Sequence, residues 1–107
     1  MAKSEIQAGI CGFTTAVHAQ MDGEECVLHI QSNCPSVQRL AEQLQRVDPL
    51  QEISWRRSPR IMEAARQCCR HAACPVPSGI LKAVEVAAGL ALPADVAIRV
   101  SRDDAGS

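Results

Sequence analysis

Aromatic residues are almost absent from this chain: its 107 residues include one Phe, one Trp and no Tyr. The core must therefore be built from aliphatic side chains, and an apolar content of 47% supplies enough of them for a globular protein. No apolar run approaches the length that crosses a membrane, and the N-terminal stretch MAKSEIQAG lacks the apolar segment of a signal peptide. We therefore expect a cytoplasmic protein that does not associate with membranes.

Excess charge is also missing, because the formal net charge is −1 at pH 7. This balance argues against a general electrostatic attraction to nucleic acid. A local basic group is formed by Arg56, Arg57 and Arg60. We interpret it as the solvent-exposed start of a helix or as a docking patch for an acidic partner. The sequence contains neither a glycine-rich phosphate loop nor a recognisable catalytic triad, so we expect a protein that is not an enzyme.

The length predicts a single domain spanning residues 1–107. Residues 13–20 and 26–33 alternate with period two around Asp22-Gly23, which predicts a β-hairpin. Apolar residues at helical spacing predict a first helix from Val37 to Val47, ended by Asp48-Pro49. Residues 51–55 form a short segment, which we interpret as an edge strand.

Two further helices and a last strand follow. Ser58-Pro59 predicts the start of a second helix, with Cys68 on its apolar face. The third helix, residues 78–90, is so apolar that we expect it to be buried by the core or by a second subunit in a homodimer. Alternation over Val96–Val100 predicts a final strand. The whole order predicts an α+β fold, in which the hairpin and one or two further strands pack against three helices.

The chain has six cysteines, and in a reducing compartment such a number favours metal binding or thiol chemistry over a disulfide scaffold. We expect Cys26 and Cys68 to be core residues. If Asp22-Gly23 is a two-residue hairpin loop, Ala19 faces Cys26, and the same register carried to the open end of the hairpin pairs Cys11 with Cys34. Directly opposed β-carbons lie roughly 4.5–5.5 Å apart, close enough for both sulfurs to bind one metal ion.

Other candidate ligands lie near helix ends. Cys34 precedes Pro35 at the start of the first helix, where the helix dipole stabilises a thiolate. Cys74 lies in the break between the second and third helices, and His71 stands three residues before it, a spacing at which both can share a metal. We therefore predict a metal site of Cys11, Cys34 and Cys74, completed by His71 or Cys69.

Three motifs carry a resemblance to a known family: Ile10-Cys11-Gly12, SNCPSVQRLAEQL and HAACPVPSGILKAVEVAAGL. Their order and spacing resemble those of the iron–sulfur cluster scaffold proteins of the IscU and NifU N-terminal type. The resemblance implies that Cys11, Cys34 and Cys74 receive iron and sulfur, with His71 as a fourth ligand, or that zinc occupies the same pocket. It also implies a sulfur donor or a cluster acceptor as partner. Residues 73–96 are similar to a small uncharacterised domain family from bacteria and archaea.

The leading expectation is a small protein that binds zinc or an iron–sulfur cluster, as a scaffold or carrier, because thiolate ligands suit both. One alternative is a thiol redox or sulfur-relay factor, in which Cys34 is the nucleophile and Cys11 resolves it. Another is a homodimeric interaction module, joined through helix 78–90, in which the cysteines are structural.

Overall fold

The computed structural model describes residues 1–103 and shows one antiparallel sheet packed against helices. The four strands lie in chain order across the sheet, as β1 Ala2–Gln7, β2 Thr14–Asp22, β3 Glu25–Ser32 and β4 Arg46–Val47. The helices are α1 Pro35–Gln43, α2 Pro49–Glu52, α3 Arg60–Cys68 and α4 Val76–Ala87, with a 3₁₀ turn at Trp55–Arg57. Helix α4 packs on β1 and β2, and α1 packs on β3. The predicted α+β class, with a hairpin packed against three longer helices, is confirmed, but the two further strands are β1 and β4 and not the ones predicted.

The hairpin of β2 and β3 buries the face that its alternation predicts. Val17, Ala19, Cys26 and Leu28 point into the core, whereas Gln20 and its neighbours on the other face are exposed or half-buried. The predicted register is wrong, however, because Ala19 pairs with Leu28 and not with Cys26. A shift of two residues leaves every side chain on its own face and changes only its partner.

The turn explains this shift. Asp22 pairs with Glu25, so the two loop residues are Gly23 and Glu24, and Gly23 has a φ of +65°. A glycine with positive φ at the first loop position is typical of a type II′ hairpin, whose twist matches that of the flanking strands. The prediction had placed Asp22 and Gly23 in the loop, as a type I′ turn would.

Strand β1 was not predicted. Its inward positions are Ala2, Ser4 and Ile6, so its apolar alternation is weak. Ser4 is tolerated on this side because its hydroxyl donates a 2.9 Å hydrogen bond to the carbonyl of Gly79 in α4. The strand therefore depends on its contact with α4 rather than on a local apolar pattern.

The segment between α1 and α3 differs from the prediction. Helix α1 ends at Gln43, because Leu44 does not have helical backbone geometry. Val47 belongs to β4 and pairs with Cys26 of β3. Leu44 and Val47 are buried in either conformation, so helical spacing alone could not place the end of the helix. The strand predicted at 51–55 is also wrong: these residues belong to the end of α2 and the 3₁₀ turn.

The C-terminal helices lie close to their predicted positions. In helix α4, the side chains of Ile80, Ala83 and Val84 are buried in the core of the same chain. Pairing of two copies through residues 78–90 stays a prediction. The half-buried Leu81 and Val86 are the apolar side chains of this helix that a second copy could contact.

The final strand predicted at Val96–Val100 is not formed: these residues are exposed and lie outside the sheet that the described part of the chain builds. A strand needs a neighbour for its backbone hydrogen bonds, and the sheet of the same chain does not supply one here. Among residues 1–103, no helix is both long and apolar enough to cross a membrane.

Candidate functional site

The predicted opposition of Cys11 and Cys34 is wrong. Strand β2 begins only at Thr14, and the residues before it form the tight loop between β1 and β2. Two backbone hydrogen bonds close this loop, from Ala8 N to Phe13 O at 3.0 Å and from Gly12 N to Gly9 O at 2.9 Å. Cys11 is exposed in that loop. Because Thr15 pairs with Ser32, the loop still lies at the same end of the sheet as Cys34.

Cys34 occupies the N-cap of α1, as predicted. A short chain of hydrogen bonds holds it there: the Thr15 hydroxyl lies 2.9 Å from that of Ser32, and the Ser32 hydroxyl accepts the backbone N–H of Cys34 at 3.1 Å. Thr15 is buried near the end of the central strand β2, so this network ties the start of α1 to that strand. The Cys34 side chain is half-buried against the core.

The other thiols come from the end of α3 and the loop that follows it. Cys69 is the C-cap of α3, and its backbone N–H donates to Ala65 O at 2.8 Å. The loop then turns back, with the Cys74 N–H donating to His71 O at 3.2 Å. Cys69 and Cys74 are both half-buried against the core, whereas His71 is exposed.

These thiols influence one another. Partial burial and, after it, the neighbouring Cys74 raise the pKa of Cys69 to about 11 from an ordinary value of 9.0; Cys68 and Cys34 contribute smaller electrostatic effects. Each neighbour acts in the same direction, because a second negative charge beside an ionised thiol is unfavourable. We call Cys34, Cys68, Cys69 and Cys74 the thiol cluster.

Two cysteines behave as core residues, as predicted. Cys26 is fully buried, and this burial raises the pKa of its thiol. Cys68 is also buried, and its sulfur accepts a 3.4 Å hydrogen bond from the side-chain amide of Gln43 at the end of α1. Within the thiol cluster, Cys68 therefore serves the packing of α1 against α3.

Of the five predicted ligands, Cys34, Cys69 and Cys74 are half-buried against the same core, and Cys34 and Cys74 act electrostatically on Cys69, whereas Cys11 and His71 are exposed. Cys69, which the sequence predicts only as an alternative fourth ligand, is the member whose pKa the other three cysteines raise. The adjacent Cys68-Cys69 pair at a helix end was the signal for it, since one side chain faces the core and the next faces the loop. Among residues 1–103, no three His, Cys, Asp or Glu residues stand in an arrangement that would hold a metal ion as it is.

Residues 2–100 match a family described as a family of unknown function, DUF6951. The chain belongs to this family. The resemblance to iron–sulfur scaffolds of the IscU and NifU type is therefore wrong: short cysteine motifs carried it, whereas the DUF6951 match covers nearly the whole chain. No curated protein and no solved structure matches the sequence.

Proposed function

We propose that this member of DUF6951 binds a thiolate-preferring metal centre, either zinc or an iron–sulfur cluster, through Cys34, Cys69 and Cys74. The observation that supports the proposal is that thiols from three separate segments, the N-cap of α1, the C-cap of α3 and the loop before α4, pack against one core, and that Cys34 and Cys74 both act on the ionisation of Cys69. All three side chains are half-buried at the edge of the core, where a metal could reach them. Cysteine sulfur is the ligand that zinc and iron–sulfur clusters share.

The electrostatics of the thiol cluster support a cation. Without one, ionising Cys69 costs free energy because it is partly buried and lies beside Cys74, and its pKa is about 11. A bound cation reverses this effect, since metals bind thiolates and displace their protons. We therefore expect metal binding at neutral pH to release protons from the cluster.

A fourth ligand would come from one of two exposed side chains. Cys11 lies in the β1–β2 loop at the same end of the sheet as Cys34, and His71 lies between Cys69 and Cys74 in the chain. Because residues 1–103 contain no preset group of three ligands, side chains of the cluster must rotate when the metal binds. A tetrahedral site closed by Cys11 or His71 would be structural, whereas an open fourth position would allow exchange.

All six cysteines are free thiols in the structure. Thiols persist in reducing compartments, so a cytoplasmic location is part of the proposal. The proposed role is binding, without a catalytic step.

The test is the metal and acid-labile sulfide content of protein purified without oxygen, together with its absorption spectrum. Wild type is compared with the variants C34S, C69S and C74S, and with C26S as the matched control, because Cys26 is a buried thiol outside the cluster. We expect metal to be lost in the three cluster variants and kept in C26S. The variants C11S and H71A then identify the fourth ligand. Wild type that holds no metal and cannot be reconstituted with zinc, or with iron and sulfide, would overturn the proposal.

A second function is favoured by the proximity of Cys74 to Cys69, whose pKa it raises. These two thiols are placed to form a reversible disulfide, giving up two protons and two electrons to the disulfide of a partner by thiol–disulfide exchange. Equilibration of metal-free protein with glutathione buffers tests this. A midpoint within the range of cellular glutathione supports it, and dithiol that stays reduced throughout excludes it.

A further inference from the structure

The segment that follows α4 leaves the globule. From Gly89 to Asp103 every residue is exposed, including Val96 at 64%, Ile98 at 78% and Val100 at 90%. The molecule measures 54 Å along its longest axis against 29 and 25 Å along the others. Ten extended residues span at most about 36 Å, so a projecting tail accounts for the added length.

This segment has the sequence of a strand. Val96, Ile98 and Val100 are β-branched and alternate with Ala97 and Arg99, which is the pattern of a half-buried strand. The match to DUF6951 extends to residue 100, so the segment belongs to the domain that defines the family. Three large apolar side chains standing free in water are unfavourable, and pairing with a sheet would cover them.

The same chain offers an edge that fits this strand. The sheet order places β1 at one border, and its six residues equal residues 95–100 in number. Strand β1 buries Ala2 and Ile6 on its inner side and exposes Lys3 and Glu5 on its outer side. A strand added in phase would extend the inner apolar layer with its valines and isoleucine, and the outer polar layer with Arg99. The opposite border is less suitable because β4 has only two residues.

We propose that residues 95–100 of one copy pair as a fifth strand with the free edge of β1 in a second copy, and that the second copy does the same in return. The donor strand and the acceptor edge lie on one chain, and the donor projects away from its own globule, so another copy is the partner that matches both. Reciprocal exchange of identical segments gives a closed two-fold dimer. The backbone hydrogen bonds of β-strand addition would supply affinity, and the alternating side chains would set the register.

The test uses the full chain with reductant present, so that no intermolecular disulfide contributes. Its mass in solution is measured by light scattering or sedimentation for wild type, I98E and the matched control R99E. Residues 98 and 99 are adjacent and equally free of core contacts, and only the first lies on the apolar side. We expect wild type and R99E to be dimers, and I98E to be a monomer, or to dissociate at least tenfold more readily, with an unchanged circular dichroism spectrum.

Hydrogen exchange at the amides of β1 separates this arrangement from others. The dimer should protect amides on its outer edge, and I98E should lose that protection. A wild-type monomer at all concentrations overturns the proposal, whether β1 is unprotected or is covered by the tail of its own chain. A dimer that survives I98E also overturns it, and would point to the surface of α4 instead.

Discussion

The Glu52 carboxylate accepts the backbone N–H of Ile61 at 2.7 Å and that of Arg60 at 3.0 Å, and so caps the start of α3 from the neighbouring helix α2. The residue at the N-cap position itself, Pro59, has no side-chain hydrogen bond to give. Glu52 is fully buried, and the N-terminal end of a helix dipole is a favourable place for its negative charge. Because Cys69 is the C-cap of the same helix, this capping also determines where the thiol cluster stands.

Replacing Glu52 by Ala should therefore destabilise the fold. The variant leaves two buried N–H groups without a charged acceptor, and we expect a loss of about 3 kcal/mol in the free energy of unfolding. The variant E52Q keeps one neutral acceptor and should lose about half as much. Urea denaturation measures both, with E42A on the exposed side of α1 as control. If E52A and E42A had the same small effect, the capping role would be wrong.

Gly79 should not tolerate a side chain. A β-carbon built there meets Cγ1 of the buried Ile6 and lies 2.6 Å from its Cδ1, so α4 and β1 would have to move apart. We expect G79A to destabilise the protein by about 1–2 kcal/mol, although alanine is the better helix former. The neighbouring S78A, at an exposed position, is the control. In an I6A background the cost of G79A should shrink; an unchanged cost would show that Ile6 is not the obstacle.

The raised pKa of Cys69 gives a stability that depends on pH. In the unfolded chain its thiol ionises near the ordinary value of 9.0, but in the folded metal-free protein only near about 11. Between these values the unfolded state loses its proton first, so the free energy of unfolding should fall as the pH rises from 9 to 11. Below this window the contribution of Cys69 is fully present.

The measurement compares wild type with C69A by urea denaturation across the window. Cys26, whose burial also raises its pKa, contributes equally to both proteins and cancels in the difference. A difference between the two that stays constant from neutral pH to the top of the window would mean that Cys69 titrates normally in the fold.

Mild oxidation of the metal-free protein should link Cys69 to Cys74. Cys74 lies near enough to Cys69 to raise its pKa, whereas Cys26 is enclosed by the core. Trypsin cleaves between the two after Arg70, so the disulfide should appear in mass spectra as residues 67–70 joined to residues 71–82. The linked pair should vanish in C74S and persist in C26S. A predominant disulfide to Cys34 instead would place that thiol nearer to Cys69 than the structure does.

Four features could be predicted from the sequence alone: the α+β class, the inward face of the hairpin, the position of Cys34 at the N-cap of α1 and the approximate spans of α3 and α4. These features follow from local periodicity and from the residues at helix ends, which act over a few positions of the chain. Cys26 and Cys68 were predicted as core residues for the same reason, since each lies in phase with apolar neighbours.

Which cysteines lie near one another depends on the three-dimensional fold and could not be predicted from the sequence. The hairpin loop is Gly23-Glu24 and not Asp22-Gly23, so the strand partners differ from the predicted ones by two residues. Cys11 lies in the loop that connects β2 to β1, a strand that was not predicted. The packing of α1 against α3 and the return of the chain after α3 put Cys69 within electrostatic reach of Cys34 and Cys74. Contacts between residues far apart in the chain depend on turn geometry and on packing between elements, and neither leaves a periodic mark in the sequence.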